Sequence, residues 1–372
     1  MIGGGVHPLI LLMAGISIVM GFFYLSDRLP FLMPILFALS ALGGLMRAAV
    51  LIRRRRGQPD VEIDYAELNR KEFTPRIQWL KDNIRGHDAV IDRVGQRLQQ
   101  GLALGSSNQT LGSFLLVGPT GTGKTFLGEL VAKALYPESE VVELRMNQYK
   151  DPDDVFTLIG PPPGYPGYEV GGALTRPLLE NPYRVVILDE FEKSHADVRH
   201  CLYDILDTAQ CREKSSGKTV SFGACAFFAT CNSGVDTLRA IWKETEDPVQ
   251  RADRAREALA REGFERALLA RFDEVLFMDE LRPIEVAEVA CLQLAKHWRQ
   301  YGMELTYTSP EILVEAVRRN MSFQEYGVRQ LAHFIREITT PSIESARKEG
   351  AKRVRLDFSP SGQITVATVD EH

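Results

Sequence analysis

The octapeptide Gly118-Pro119-Thr120-Gly121-Thr122-Gly123-Lys124-Thr125 constrains this chain more than any other stretch, because it works in only one structural setting. It needs a buried strand before it and a helix after it. Backbone N–H groups freed by the glycines and the helix N-terminus then converge on phosphate oxygens. Both flanks are present. Residues 113–117 (SFLLV) form an unbroken apolar run that reads as a buried strand, and residues 126–135 (FLGELVAKAL) carry a helical period. Two more apolar runs, 184–188 (RVVIL) and 224–230 (ACAFFAT), read as strands of the same kind. Strands that are hydrophobic throughout and alternate with helices predict an α/β fold, with a parallel sheet covered on both faces.

The octapeptide assigns phosphate binding to Gly118 through Thr125, with Lys124 reaching the β- and γ-phosphates and Thr125 ligating Mg²⁺. The run 184–188 ends in Asp189-Glu190. Asp189 is placed to bind Mg²⁺ through water, and Glu190 to polarise an attacking water as general base. Together the two motifs predict ATP hydrolysis, with ATP and Mg²⁺ as cofactors. Five scattered cysteines with no CxxC pair exclude a zinc site or a disulfide framework.

A second feature divides the chain. Residues 8–25 and 29–46 are uncharged and almost wholly apolar, separated by Ser26-Asp27-Arg28 and followed by Arg53-Arg54-Arg55-Arg56. Eighteen helical residues rise about 27 Å, close to a hydrocarbon core of about 30 Å. The pair reads as a transmembrane helical hairpin over residues 1–56. A cleaved leader would want a basic start and no second run, and a buried soluble hairpin would want a polar face. The arginine run puts both hairpin ends on the cytoplasmic side, so the expected location is the inner (plasma) membrane, multi-pass, with the catalytic part in the cytoplasm. Residues 1–56 hold six arginines and one aspartate, whereas the whole chain carries a net −5. The acidic charge therefore sits in the part after residue 56, which argues against binding nucleic acid by broad phosphate neutralisation. The mean hydropathy of −0.12 averages two unlike parts.

Between the two motifs lies Gly160-Pro161-Pro162-Pro163-Gly164-Tyr165-Pro166-Gly167-Tyr168-Glu169-Val170-Gly171-Gly172, and the acid pair continues as Phe191-Glu192-Lys193-Ser194-His195. With these, the chain from about Ile84 to near its C-terminus resembles the Clp family of AAA+ unfoldases, in particular the second ATPase ring of the ClpA and ClpB type. The resemblance implies a P-loop large domain over residues 76–280, following a juxtamembrane linker (57–75), and a small helical and β lid domain over 281–372. It also implies a homohexameric ring that pulls a protein substrate through its pore. Tyr165 and Tyr168 match the pore loop that grips polypeptide, Asn232 matches sensor 1, Arg271 the arginine finger given to a neighbouring subunit, and Arg329 sensor 2. Ile84 belongs to the adenine-side segment, where His87 stands in place of the usual Gln, and Pro166 replaces an aliphatic residue. The C-terminal helical patterns (284–298, 310–319, 328–339) and two short strands (353–358, 363–366) fit the lid.

Compared with that family, the sequence shows no first ATPase ring, no repeat N-terminal domain, no coiled-coil middle domain and no protease-docking loop. Neither HExxH nor a Ser/Lys protease signature is present. The expectation is a membrane-tethered unfoldase without proteolysis of its own, its clients selected by an adaptor, the linker or the anchor. The alternative is an accessory ATPase of a membrane-embedded secretion or conjugation machine that remodels one dedicated partner. Deleting residues 1–56 is expected to move the protein from the lipid layer to the soluble fraction in a flotation gradient while ATP turnover continues. Continued flotation of the truncated chain would refute the hairpin.

Overall fold

Strands without a polar face must be covered twice, and the computed structural model of the protein has that architecture. It describes residues 63, 74–322, 328–358 and 364–369, the side chains of 321, 322 and 328–330 excepted. The expected hairpin over residues 1–56 lies outside the described residues. Among the described residues no helix is long and apolar enough to cross a membrane.

Helices α1 (Thr74–Asn83) and α2 (Asp88–Leu104) precede β1 (Gly112–Val117). There follow α3 (Lys124–Leu135), β2 (Val142–Arg145), α4 (Asp154–Ile159), α5 (Thr175–Glu180), β3 (Val185–Asp189) and α6 (Ala196–Thr208). A two-stranded hairpin, β4 (Gln210–Arg212) and β5 (Thr219–Ser221), leads into β6 (Ala226–Cys231). Then come α7 (Val235–Glu244), α8 (Pro248–Arg261), α9 (Arg266–Leu269) and β7 (Glu274–Phe277). Five strands form a parallel sheet in the order β2-β3-β6-β1-β7. With β1 between β6 and β7, the chain leaves it at the switch point of the sheet, where parallel α/β proteins place their ligands.

Alternation along each strand divides the apolar residues between two cores. Phe114 and Leu116 of β1, Ile187 of β3 and Phe228 of β6 pack under α1, α2 and α3, with the Phe114 and Phe228 rings stacked at 4.8 Å. Leu115, Val117, Val186, Leu188, Phe227 and Ala229 face the opposite way, against α6, α7 and α8. Burial on both faces is why these runs read as continuous hydrophobic stretches.

A third core lies in the C-terminal part. It is built by α10 (Pro283–Gln300), β8 (Glu304–Thr308), α11 (Pro310–Ser322), α12 (Val328–Lys348), β9 (Arg353–Phe358) and β10 (Ile364–Thr368). Trp298 is fully buried among Leu294, Ile312 and Phe334. Here β9 pairs antiparallel with β10 and parallel with β8.

The expected strands and helices form, with small shifts at their ends. Helix α3 begins at Lys124 rather than Phe126, inside the glycine motif. The strand expected from Ala224 starts at Ala226, because Ala224 and Cys225 belong to the preceding turn, where the Cys225 carbonyl accepts from Leu111 N at 2.9 Å. The expected C-terminal strand from Gln363 is described from Ile364.

Candidate functional site

The site is assembled where β1, β3 and β6 end on the same edge of the sheet. Gly123 takes φ +97°, a left-handed conformation that costs glycine little and a side-chain-bearing residue much. A Cβ on Gly118 would come within 2.1 Å of the Met278 carbonyl oxygen, so the start of the loop has no room for a side chain. Lys124 is buried and its Nζ donates to the Gly118 and Pro119 carbonyls, each at 2.7 Å. The loop thus folds around its own lysine, and phosphate oxygens would take the place of those two carbonyls.

The ends of β3 and β6 and the start of α3 meet at Asp189. Its Oδ1 accepts from Thr125 Oγ1 at 2.8 Å and from Thr230 Oγ1 at 2.7 Å. Thr230 Oγ1 also accepts from Glu190 N at 3.0 Å. Glu190 has φ +56°, unusual for a residue with a side chain and a form of strain that concentrates at functional sites. Asn147 Nδ2 donates to its Oε2 at 2.6 Å and Lys193 Nζ to its Oε1 at 2.7 Å. Each carboxylate oxygen keeps a lone pair for water. Bonding to Glu190 holds Lys193 above the usual lysine range. The all-oxygen set of one hydroxyl and one carboxylate, Thr125 and Asp189, fits Mg²⁺, which takes its remaining ligands from phosphates and water.

Asn232 N and Nδ2 both lie on Glu192 Oε1, at 3.2 and 3.3 Å, which fixes the expected sensor just past β6. Burial pushes the neighbouring Cys231 thiol up to about 12, so it offers no nucleophile. Ile84 is buried, and its Cδ1 lies 3.4 Å from where a Cβ on Gly123 would sit. His87 Nε2 meets the Thr122 carbonyl at 3.0 Å; because a carbonyl only accepts, this assigns the proton to Nε2. The adenine-side segment is thus packed against the phosphate loop.

Two expected groups of residues stand elsewhere. Arg271 stacks over the Tyr203 ring, its guanidinium carbon 4.3 Å from the centroid, and pairs with Asp207 at 2.6 Å, both on α6. Its carbonyl accepts from Ser113 Oγ at 3.1 Å, at the opposite end of β1 from the phosphate loop. At about 3.3 Å per strand residue, Gly118 is about 16 Å further on. Arg271 therefore cannot serve the site of its own chain. Tyr165 and Tyr168 are exposed on the loop between α4 and α5, with the Tyr165 ring 6.0 Å from that of Phe156. Arg329 lies in α12, and its side chain is outside the described residues. Sequence reading missed Thr230, Asn147 and Lys193. A hydroxyl in the apolar run AFFATC was a usable signal for Thr230, whereas nothing local marks Asn147.

The profile of the AAA domain (Cdc48 subfamily) matches residues 109–275, from just before β1 into β7. The chain is 33% identical over 265 residues to the ATP-dependent Clp protease ATP-binding subunit ClpE of Lactococcus lactis, covering 68% of this chain and 35% of that protein. It is 31% identical over 310 residues to the chaperone protein ClpB of Staphylococcus aureus, covering 80% and 35%. To the mitochondrial chaperone protein ClpB4 of Arabidopsis thaliana it is 30% identical over 305 residues, covering 79% and 31%. The chain belongs to the Clp-type AAA+ ATPases. It spans about a third of the length of the curated relatives it matches.

His87 gives this Clp-type site a pH signature. Burial holds the imidazole below the usual histidine range, against the opposing pull of the Thr122 carbonyl and of Glu285, Asp279 and Asp88. The unfolded chain therefore takes up the proton first, so His87's contribution to stability is complete above about pH 6.5 and is lost as pH falls from there through the folded-state value. Denaturant midpoints between pH 7.5 and 5.5 are expected to fall more steeply for the wild type than for His87→Gln. Parallel curves would refute the assignment.

Proposed function

We propose that this protein is an ATP-driven motor that unfolds or remodels polypeptides at a cytoplasmic membrane face, tethered by residues 1–56. It works as a homohexameric ring. The observation that carries the reading is the loop between α4 and α5. Tyr165 is 56% exposed, Tyr168 41% and Val170 64%. Gly164 and Gly167 have left-handed backbone, and no atom would crowd a Cβ at either. A flat ring on such a loop can wedge against any chain without reading its sequence. Pro166, between the two, limits the loop's bending and so the length of its stroke.

Hydrolysis follows from the residues at the strand ends. Lys124 transfers its two donated bonds from loop carbonyls to phosphate, while Thr125 and Asp189 would hold Mg²⁺, which neutralises phosphate charge when bound. Glu190 draws the proton from an attacking water, and Asn232 and Arg329 orient the water and the γ-phosphate in cis. Arg271, out of reach of its own site, reaches a neighbour's and makes turnover depend on assembly. Client choice falls to the anchor, the linker or an adaptor.

Tyr165→Ala is expected to keep ATP turnover within about twofold while polypeptide unfolding falls by on the order of a hundredfold. Unchanged unfolding of a tailed fluorescent reporter would sink the threading reading. In Glu190→Gln, which should hold ATP and trap substrate, one stoichiometric partner captured from membranes would instead favour a dedicated ATPase of a larger machine. Arg271→Ala should lower turnover by about 10³-fold with nucleotide affinity kept. Mixing it with Lys124→Ala subunits should restore part of the activity at mixed interfaces. No restoration would count against a trans role.

A further inference from the structure

The hairpin β4–β5 is absent from the account of hydrolysis, yet it holds a buried carboxylate. Glu213, at its turn, is 3% exposed, and among the described residues no basic side chain forms an ion pair with it. Its charge is met by three hydrogen bonds instead, as burial of a carboxylate demands. Oε1 accepts from Gly172 N at 3.2 Å and from Thr175 Oγ1 at 3.1 Å, and Oε2 from Ser216 Oγ at 2.5 Å. Gly172 and Thr175 form the C-terminal stem of the loop that carries Tyr165. A Cβ on Gly171 would come within 2.9 Å of Glu213 Oε1.

The same turn also holds the loop's other stem. Lys214 N donates to the Ile159 carbonyl at 3.1 Å and Ser215 Oγ to the Pro161 carbonyl at 2.9 Å. Lys214 Nζ sits 4.8 Å over the Phe156 ring, which itself lies 6.0 Å from that of Tyr165. Both ends of the exposed loop are thus fastened to one four-residue turn.

That turn is in mechanical series with the catalytic acids. Helix α6 begins shortly after Asp189-Glu190 and ends at Ala209, a left-handed residue (φ +49°) from which the hairpin departs. Phe222 N donates back to the Ala209 carbonyl at 2.8 Å and closes the base of the hairpin. Packed elements joined in this way can carry coupling between sites when they have two discrete arrangements.

We propose that Glu213 is a positioning residue that locks the Tyr165 loop to the β4–β5 hairpin, so that the state of the nucleotide site is transmitted through α6 to the polypeptide-gripping loop. The proposal rests on the threading reading for its biological meaning but not for its test. The full chain in detergent micelles, in the Glu190→Gln background, is compared with ATP and with ADP by hydrogen–deuterium exchange. Residues 160–175 and 210–221 are expected to change protection together. Glu213→Ala should leave the hairpin responsive, remove the response of residues 160–175 and speed exchange at Gly172 by on the order of tenfold. Glu213→Gln, which keeps an acceptor oxygen, should restore both. A loop that still responds in Glu213→Ala overturns the latch. If Glu213→Ala does not fold, Thr175→Val deletes a single bond of the set, and loss of loop response there decides the matter in the same way.

With Glu190 restored, Glu213→Ala should keep basal ATP turnover and lose stimulation by unfolded casein. If Tyr165→Ala leaves unfolding intact while the exchange results hold, the threading reading fails and the latch stands. If Tyr165→Ala abolishes unfolding but the loop of Glu213→Ala still follows the nucleotide, the latch alone fails.

Discussion

Asp189 accepts hydroxyl bonds from Thr125 and Thr230, and through them the ends of β3 and β6 and the start of α3 are held at one point. Thr230 in turn receives the Glu190 amide, so the peptide that carries Glu190 is fixed by the hydroxyl of the neighbouring strand. A cluster of this kind is stable only where water is scarce: Thr230 is 1% exposed and Lys124 7%, and polar groups so placed must satisfy one another. The parallel sheet supplies that setting, because both of its faces are covered and only the strand ends open outward. Remove either hydroxyl and the half-buried Asp189 loses a donor, and a tie between the phosphate loop and the acid pair goes with it.

The sheet also separates Arg271 from the strand-end cluster. The glycine motif and the acid pair lie at the C-terminal ends of the strands, whereas Arg271, bonded to Ser113 at the N-terminal end of β1, stands away from them. Arg271 is not loose in this arrangement. Its stacking on Tyr203 and pairing with Asp207 attach it to α6, the helix that follows Glu190.

What the sequence made legible follows from how much each element depends on its own residues. β1, β3 and β6 were plain because every residue but Asp189 is buried, and the phosphate loop because its spacing works only between a strand and a helix. β2 was missed: its four residues alternate buried and exposed at the edge of the sheet, a pattern too short to separate from a loop. β8 is mostly exposed, and it pairs with β9 only after two intervening helices bring them together. The roles of Asn147 and Glu213 were invisible for the same reason. Asn147 acts on a carboxylate 43 positions away and Glu213 on an amide 41 positions away, and neither partner exists until the sheet is built. His87, by contrast, was noticeable as a departure from a familiar segment, and its bond to Thr122 gives that departure a physical basis.

That segment also links the nucleotide site to the third core. His87 touches the phosphate loop, while Gly86 beside it is so tightly abutted that a Cβ would come within 2.5 Å of Leu281 Cδ2 and 2.8 Å of Glu285 Oε2. Glu285 is buried and closes the first turn of α10 by accepting from Arg282 N at 2.7 Å. Arg85 reaches Glu288 one turn further along the helix, at 3.5 Å. Between the phosphate loop and α10 there is therefore one short stretch of backbone with contacts on both sides and no slack for a side chain at its centre. A displacement of Thr122 would therefore bear on His87 and, through the close fit of Gly86, on the first turn of α10, one of the helices that build the C-terminal core.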